Sequence, residues 1–234
     1  MTRQRLDGVA SLASRYEECD ALVLLDRVMI PWSHVFVYRD RERYLTMTRG
    51  IGMFPHASLQ SAARALAKLR TVGRLARRAE ETFGLGKRDA FKSYCGRVLR
   101  DIALLDADYR QAIAQATENE YGVWVPDSRL LEAAKLYFAQ AYPMLMEELR
   151  RLLGPELFHL FDGSALPAPL AEALGRVWGF SSQGVRQRLQ LTAELFDLAV
   201  SSFGLRQELY EMHKAGSADT IARSFWKEFQ ISES

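Results

Sequence analysis

The constraint that does most to limit this chain is a change of apolar period at residue 40. Before it lie two short apolar runs, Ala21 to Leu25 and Val35 to Tyr38, too short for helices and rich in the residues that favour strands. Between them Pro31 cannot donate a ladder hydrogen bond and presses Ile30 towards an extended backbone, so a corner is expected there. After Asp40 every apolar pattern has a helical period. A chain that leaves a sheet and then turns wholly helical has the form of the back half of something larger.

The helical part divides by its seams. Leu59, Ala62, Leu66, Leu69, Gly73 and Ala76 recur at spacings of three and four and predict a long amphipathic helix closed by Gly84 and Gly86. A second helix is expected from about Lys87 to Glu118, with Phe91, Cys95, Val98, Ile102, Leu105 and Tyr109 on one face. The loop from Glu120 to Asp127 breaks the pattern, and Asp127 or Ser128 suits the N-cap of a third helix. Its seam is Leu131, Ala134, Phe138, Ala141, Leu145, Leu149 and Leu152, with a kink expected at Pro143 and an end at Gly154-Pro155. A connection with a short helix from Leu170 to Trp178 follows. The fourth long helix is expected to start at Ser181 or Ser182 and to run past Tyr210, apolar on so wide an arc that it packs on both sides. The fold class is therefore mainly α, an up-down bundle of four long helices with a short N-terminal β lead-in. The expected division is 1–42 for the polar N-terminus and β segment, 43–216 for the bundle, and 217–234 for a tail with a short helix.

Three blocks carry a resemblance. Asp20-Ala21, Asp26, Val28, Ile30-Pro31-Trp32, Val35-Phe36, Tyr38 and Asp40 form the first; Tyr121 to Pro126 and Ser202 to Glu211 follow in order. The chain resembles the C-terminal helical domain of the 4-hydroxyphenylacetate 3-monooxygenase oxygenase family, flavin monooxygenases with an acyl-CoA-dehydrogenase-like fold. The resemblance implies hydroxylation of a phenol-like aromatic with O2, using reduced FAD supplied by a separate flavin reductase. Family members are about twice this long and what is missing is the front, which holds the substrate-binding residues and most of the flavin-binding barrel. This chain is accordingly not expected to catalyse alone. It is expected to associate, as a homo-oligomer or with a separately encoded front half; the other reading is a non-catalytic helical scaffold or regulator.

Ser201, Ser202, Phe203 and Gly204 place small residues inside the fourth helix, where a glycine costs about 1 kcal/mol against alanine. A ligand or a close helix crossing would offset that cost, and the resemblance implies contact with FAD. Arg206 brings a charge into an apolar stripe, which calls for a pyrophosphate, a carboxylate, or an ion pair with Glu208 or Glu211. The family commonly has glycine where this chain has Leu205, which adds bulk beside the expected cofactor path. His56 stands where the family often has a histidine at the opening of the first bundle helix, and is the catalytic candidate beside a capping or surface role. A related iron-sulfur dehydratase has a cysteine seven residues on, where this chain has Ala63, so no cluster is expected. His34, His159 and His213 show no metal-ligand spacing. Arg64, Lys68, Arg70, Arg74, Arg77 and Arg78 read as a solvated basic helix face, because Glu80 and Glu81 follow at once.

Composition excludes several classes. The 31 lysines and arginines nearly balance 29 aspartates and glutamates across 234 residues, which favours neither nucleic acid nor a membrane surface as partner. No apolar run is long enough to span a bilayer, and Met1 to Arg5 has no apolar stretch behind it, so no secretory signal is expected. Cys19 and Cys95 are isolated thiols and fit a reducing cytoplasm. Dinucleotide-binding, Walker and nucleophile-elbow motifs are missing, which counts against Rossmann, kinase and hydrolase readings.

Overall fold

In a computed structural model, residues 12–16, 21–158, 165–214 and 216–229 are described. The longest helix, α3 (Met53–Phe83), is the element around which the others assemble. Its buried positions, including Ala62, Ala65, Leu66, Leu69, Val72, Ala76 and Ala79, repeat at three and four and form a continuous stripe. Gly84 ends it in the left-handed conformation at φ 67°, its N–H donating to the Glu80 carbonyl. Through this turn the chain folds back as α4 (Asp89–Ala114), which packs along α3.

Next comes a two-residue antiparallel hairpin, β1 (Thr117–Glu118) and β2 (Trp124–Val125). Asp127 then accepts a hydrogen bond from Leu130 N at 3.1 Å and caps α5 (Ser128–Leu153). α5 packs on both α3 and α4, and it runs without a break through Pro143. Leu69, Val72, Phe91, Tyr94, Leu149 and Leu195 meet in the main core, and each is essentially inaccessible. α6 (Ala168–Trp178) packs on α7 (Ser182–Ala199), and α7 lies against α3 and α5. α8 (Ser202–His213) and α9 (Ala218–Glu228) both rest on α5. Shorter helices α1 (Ala13–Tyr16) and α2 (Arg41–Gly50) stand at the front of the chain.

The mainly α class holds, and three of its details differ from expectation. Residues 21–40 form no strand: they run exposed, with a 3-10 turn at Trp32–His34, because among the described residues no segment lies beside them to complete a ladder. The second helix stops at Ala114, where the chain turns into the hairpin. As expected, the first long helix opens just ahead of His56: Gly52 takes φ 62° and caps α3 behind α2. The fourth helix is two helices, α7 and α8, broken at Val200 and Ser201. Cys19 and His159 lie outside the described residues; Cys95 is a half-buried free thiol whose pKa is pushed up by burial.

The break has a local cause. Ser201 Oγ accepts from Gly204 N at 3.3 Å and starts α8, while the same hydroxyl lies 2.7 Å from Asp197 Oδ1. Buried Asp197 also accepts from Leu12 N and Ala13 N, at 2.8 and 2.6 Å. A Cβ on Gly204 would come within 2.2 Å of the Leu198 carbonyl oxygen and 2.7 Å of that of Asp197. Gly204→Ala is therefore expected to destabilise the fold by about 2–3 kcal/mol. In a chain of this size that is a fall of roughly 4–12 °C in Tm. Thermal unfolding checks it, and an unchanged Tm would mean that the α7–α8 corner gives way without cost.

Candidate functional site

Two places in the fold gather polar groups from distant parts of the chain. The first is the corner between α2, the start of α3 and the hairpin. Asn119 organises it: its side-chain oxygen accepts from Tyr121 N and Val123 N, both at 3.0 Å, and its amide donates to the Gly50 carbonyl at 2.9 Å. Two glycines let the hairpin approach. A Cβ on Gly50 would lie 3.3 Å from the Tyr121 ring, and one on Gly52 would lie 3.1 Å from Val125 Cγ2. The corner borders an open groove of about 640 Å³ whose walls include Asp40, Arg43, Met47, Ile51, Tyr121 and Val123.

The second place is the inner side of α8. Glu211 is buried, its side chain only 4% exposed, and takes a two-pronged contact from Arg64 (Nε to Oε1 2.9 Å, Nη2 to Oε2 3.0 Å) together with Lys68. Burial alone would push its pKa up, but the hydrogen bonds from Arg64 and the charge of Lys68 outweigh it and hold Glu211 below the ordinary carboxylate value. Lys214 stands at the edge of the same cluster, its Nζ donating to Ser61 Oγ at 3.2 Å and Gln60 Oε1 at 3.3 Å. Partial burial of its ammonium, with Arg64 and Lys68 nearby, pulls its pKa below that of a free lysine. Farther along α8, Glu208 pairs with Arg150 at 2.8 Å, and Arg150 also donates to the Ala199 carbonyl at 2.9 Å.

The residues singled out from sequence fall into separate groups. His56 is exposed on the first turn of α3, beside Gly52 and the hairpin, with no carboxylate or thiol bonded to it among the described residues. Ser201, Phe203 and Gly204 face inward at the helix break, where the first caps, the second is buried and the third admits backbone. Ser202 is exposed and Arg206 half-buried on the outer side of α8. His56 and the Ser201 to Gly204 corner are thus held by different elements. Glu208 and Glu211 are paired with Arg150, Arg64 and Lys68.

The basic face of α3 is not simply solvated. Arg64 and Lys68 reach Glu211, Arg70 reaches Asp106 at 2.8 Å and Arg78 reaches Glu194. Arg77, paired with Glu81 at 3.4 Å, keeps the expected exposed character. Sequence reasoning missed Asn119 and Lys214 altogether. Spacing gave a hint at Arg64 and Lys68, which sit four apart beside the buried Ala65 and Leu66. Among the described residues there is no group of three His, Cys, Asp or Glu able to hold a metal, and no helix long and apolar enough to cross a membrane.

Comparison with known proteins adds identity to this geometry. Residues 45–234 match the family described as HpaB, 4-hydroxyphenylacetate 3-hydroxylase C terminal. The chain is similar to the 4-hydroxyphenylacetate 3-monooxygenase oxygenase component of Pseudomonas aeruginosa, 31% identical over 90% of this chain and 41% of the relative. The protein of the same name from Thermus thermophilus is 28% identical over 86% of this chain and 42% of the relative. A crystal structure of such an oxygenase component, complexed with FAD and 4-hydroxyphenylacetate, superposes with a TM-score of 0.85 at 26% identity, covering 95% of this chain and 47% of the other. The chain thus spans less than half the length of the relatives it matches.

The charge on Glu211 carries a stability prediction. Because its folded pKa is depressed, its contribution is fully present above the unfolded carboxylate value and is lost as pH falls through the folded one. Glu211→Gln, which strands Arg64 and Lys68 without their carboxylate, is expected to cost roughly 3–5 kcal/mol at neutral pH. The variant is also expected to lose part of the parent's acid sensitivity. Tm measured for both proteins from neutral pH to about pH 3 tests this; parallel curves would remove Glu211 as an anchor of α8.

Proposed function

The chain belongs to the 4-hydroxyphenylacetate 3-hydroxylase C-terminal family, and on that premise we propose that it is the helical part of a reduced-flavin-dependent aromatic monooxygenase, acting together with a front half such as its relatives carry. The observation that carries the proposal is the apolar segment 21–38, left in the open beside a well-filled helical core. Leu22, Met29 and Phe36 are 88%, 90% and 91% exposed. Such a run of exposed apolar side chains, without a strand partner among the described residues, is an edge that takes up another chain's strand. A front half supplying strands here would bury it and rebuild the junction at which the first resemblance block lies. A flavin reductase is the expected second partner, and the free Cys95 fits the cytoplasm as its compartment.

The residues on α8 fit one wall of a flavin site. Ser202, Leu205, Arg206 and Leu209 share its outer face, with Leu205 and Leu209 about half exposed. Ser201, Phe203 and Gly204 support that face from behind. Bound flavin would supply the oxygen chemistry, while Ser202 and Arg206 offer polar contacts and the two leucines exclude water from one side. The opposite wall belongs to the front half, so the chain alone is expected to hold flavin weakly.

Titrating FAD into the chain, alone and with a polypeptide supplying the front half that the relatives carry, tests the proposal. The expected result is binding at least about tenfold tighter in the pair, with phenol hydroxylation only there. Absence of saturable flavin binding in both states would overturn the monooxygenase reading and leave a helical scaffold.

A further inference from the structure

The cations gathered where α3, α5, α8 and α9 meet exceed the carboxylates that answer them. Arg64, Lys68, Lys135 and Lys214 face Glu211 and Glu132, an excess of two positive charges in a chain whose overall charge is almost balanced. Arg64 and Lys68 are committed to Glu211, and Lys135 to Glu132, which also accepts from Ser58 Oγ at 2.6 Å. Lys214 meets neutral oxygens, those of Ser61 and Gln60. Three of the four cations also lie within 5.0 to 5.6 Å of the Tyr210 ring centre, so like charges converge on one exposed aromatic. Holding them together costs electrostatic energy that two carboxylates do not fully offset.

We infer that this junction is a binding site for a phosphate group. Its lining includes Ser61, Arg64, Lys135, Glu211, Lys214 and Ile221, which brings three cations around one opening, while the Ser61 hydroxyl donates to the Ala57 carbonyl and holds Lys214 in place. The enclosed volume of about 20 Å³ has room for a single water, so the phosphate rests at the mouth, on Lys214 and the Arg64 guanidinium N–H groups that remain after Glu211 and Gln60 are answered. Two excess positive charges match a dianion better than a carboxylate, and a guanidinium beside an ammonium is the pairing that phosphate oxygens favour. Glu211 keeps the cations in place when the ligand is away. The site stands independently of the flavin strip on the outer face of α8.

Inorganic pyrophosphate, titrated calorimetrically into the full chain at low ionic strength, is the direct probe. Saturable binding is expected, weakened by about tenfold in Lys214→Gln, the loss of one charged hydrogen-bonding partner. Lys214→Arg should retain it, and Lys92→Gln, which removes an exposed lysine on α4, should leave it unchanged. Failure of pyrophosphate to bind, or an equal loss in Lys92→Gln, would overturn the inference. Parallel titrations with FAD and riboflavin separate the sources of phosphate. If FAD exceeds riboflavin by a factor that Lys214→Gln abolishes, the site holds the phosphates of a flavin nucleotide. If pyrophosphate binds and the two flavins bind equally or not at all, it serves a separate phosphate-bearing ligand.

Discussion

The fold depends on α3 being able to receive three helices at once. α4, α5 and α7 all pack along it, and they do so because its buried stripe alternates large residues such as Leu66, Leu69 and Val72 with small ones such as Ala62, Ala65, Ala76 and Ala79. The alanines let neighbouring backbones approach while the branched residues fill the space between them, which is how a helical core reaches interior density. The charged side of the same helix then fixes what comes last in the chain. Arg64 and Lys68 stand one turn apart at the edge of the stripe, and α8 is pinned to them through Glu211. One helix thus sets both the apolar centre and the position of the segment that bears the candidate flavin wall.

Repetition decides which parts of this architecture can be read from the sequence. α3, α4 and α5 each display six or more turns of the same apolar spacing, so a periodic reading finds them, and the caps at Gly84 and Asp127 follow from residue types with strong positional preferences. The break between α7 and α8 is hidden because the apolar period continues through Phe196, Ala199 and Phe203 as though one helix ran on. What interrupts it is a hydrogen-bond set among Asp197, Ser201 and Gly204, together with backbone from Leu12 and Ala13 far away in sequence. The hairpin is too short to show a strand period, and Asn119, which holds it, resembles any loop asparagine until its bond to Gly50 is seen.

Electrostatics shows the same division in another form. Near-balance of total charge describes solubility and says little about where charges meet. The six cations along α3 resemble a solvated face because acids follow them locally, yet Arg64 and Lys68 find their acid on α8 and Arg78 finds one on α7. Such pairings close loops of more than a hundred residues, a range over which no local pattern carries information. Arg206 and Glu211 show the consequence: the sequence marks both as charges in an apolar helix, and only the fold decides that Glu211 turns inward to Arg64 while Arg206 stays on the outer side.

Helical core and lead-in obey opposite rules, and that contrast bears on function. In the core, large apolar side chains such as Leu69, Phe91 and Leu149 are shut away from water, and buried Glu211 and Asp197 have their partners within the chain. From residue 21 to 38 the chain instead presents leucine, valine, methionine, tryptophan and phenylalanine side chains to solvent, with no strand partner among the described residues. Burying that surface against water-excluding strands is favourable at roughly 25 cal/mol per Å² of apolar area. The apolar surface available for association is therefore concentrated in the segment ahead of the residues that match the family. Under the proposed function, a complement that buried the lead-in and also formed the opposite wall of the flavin site would make association and cofactor binding linked equilibria: whatever stabilised one would stabilise the other.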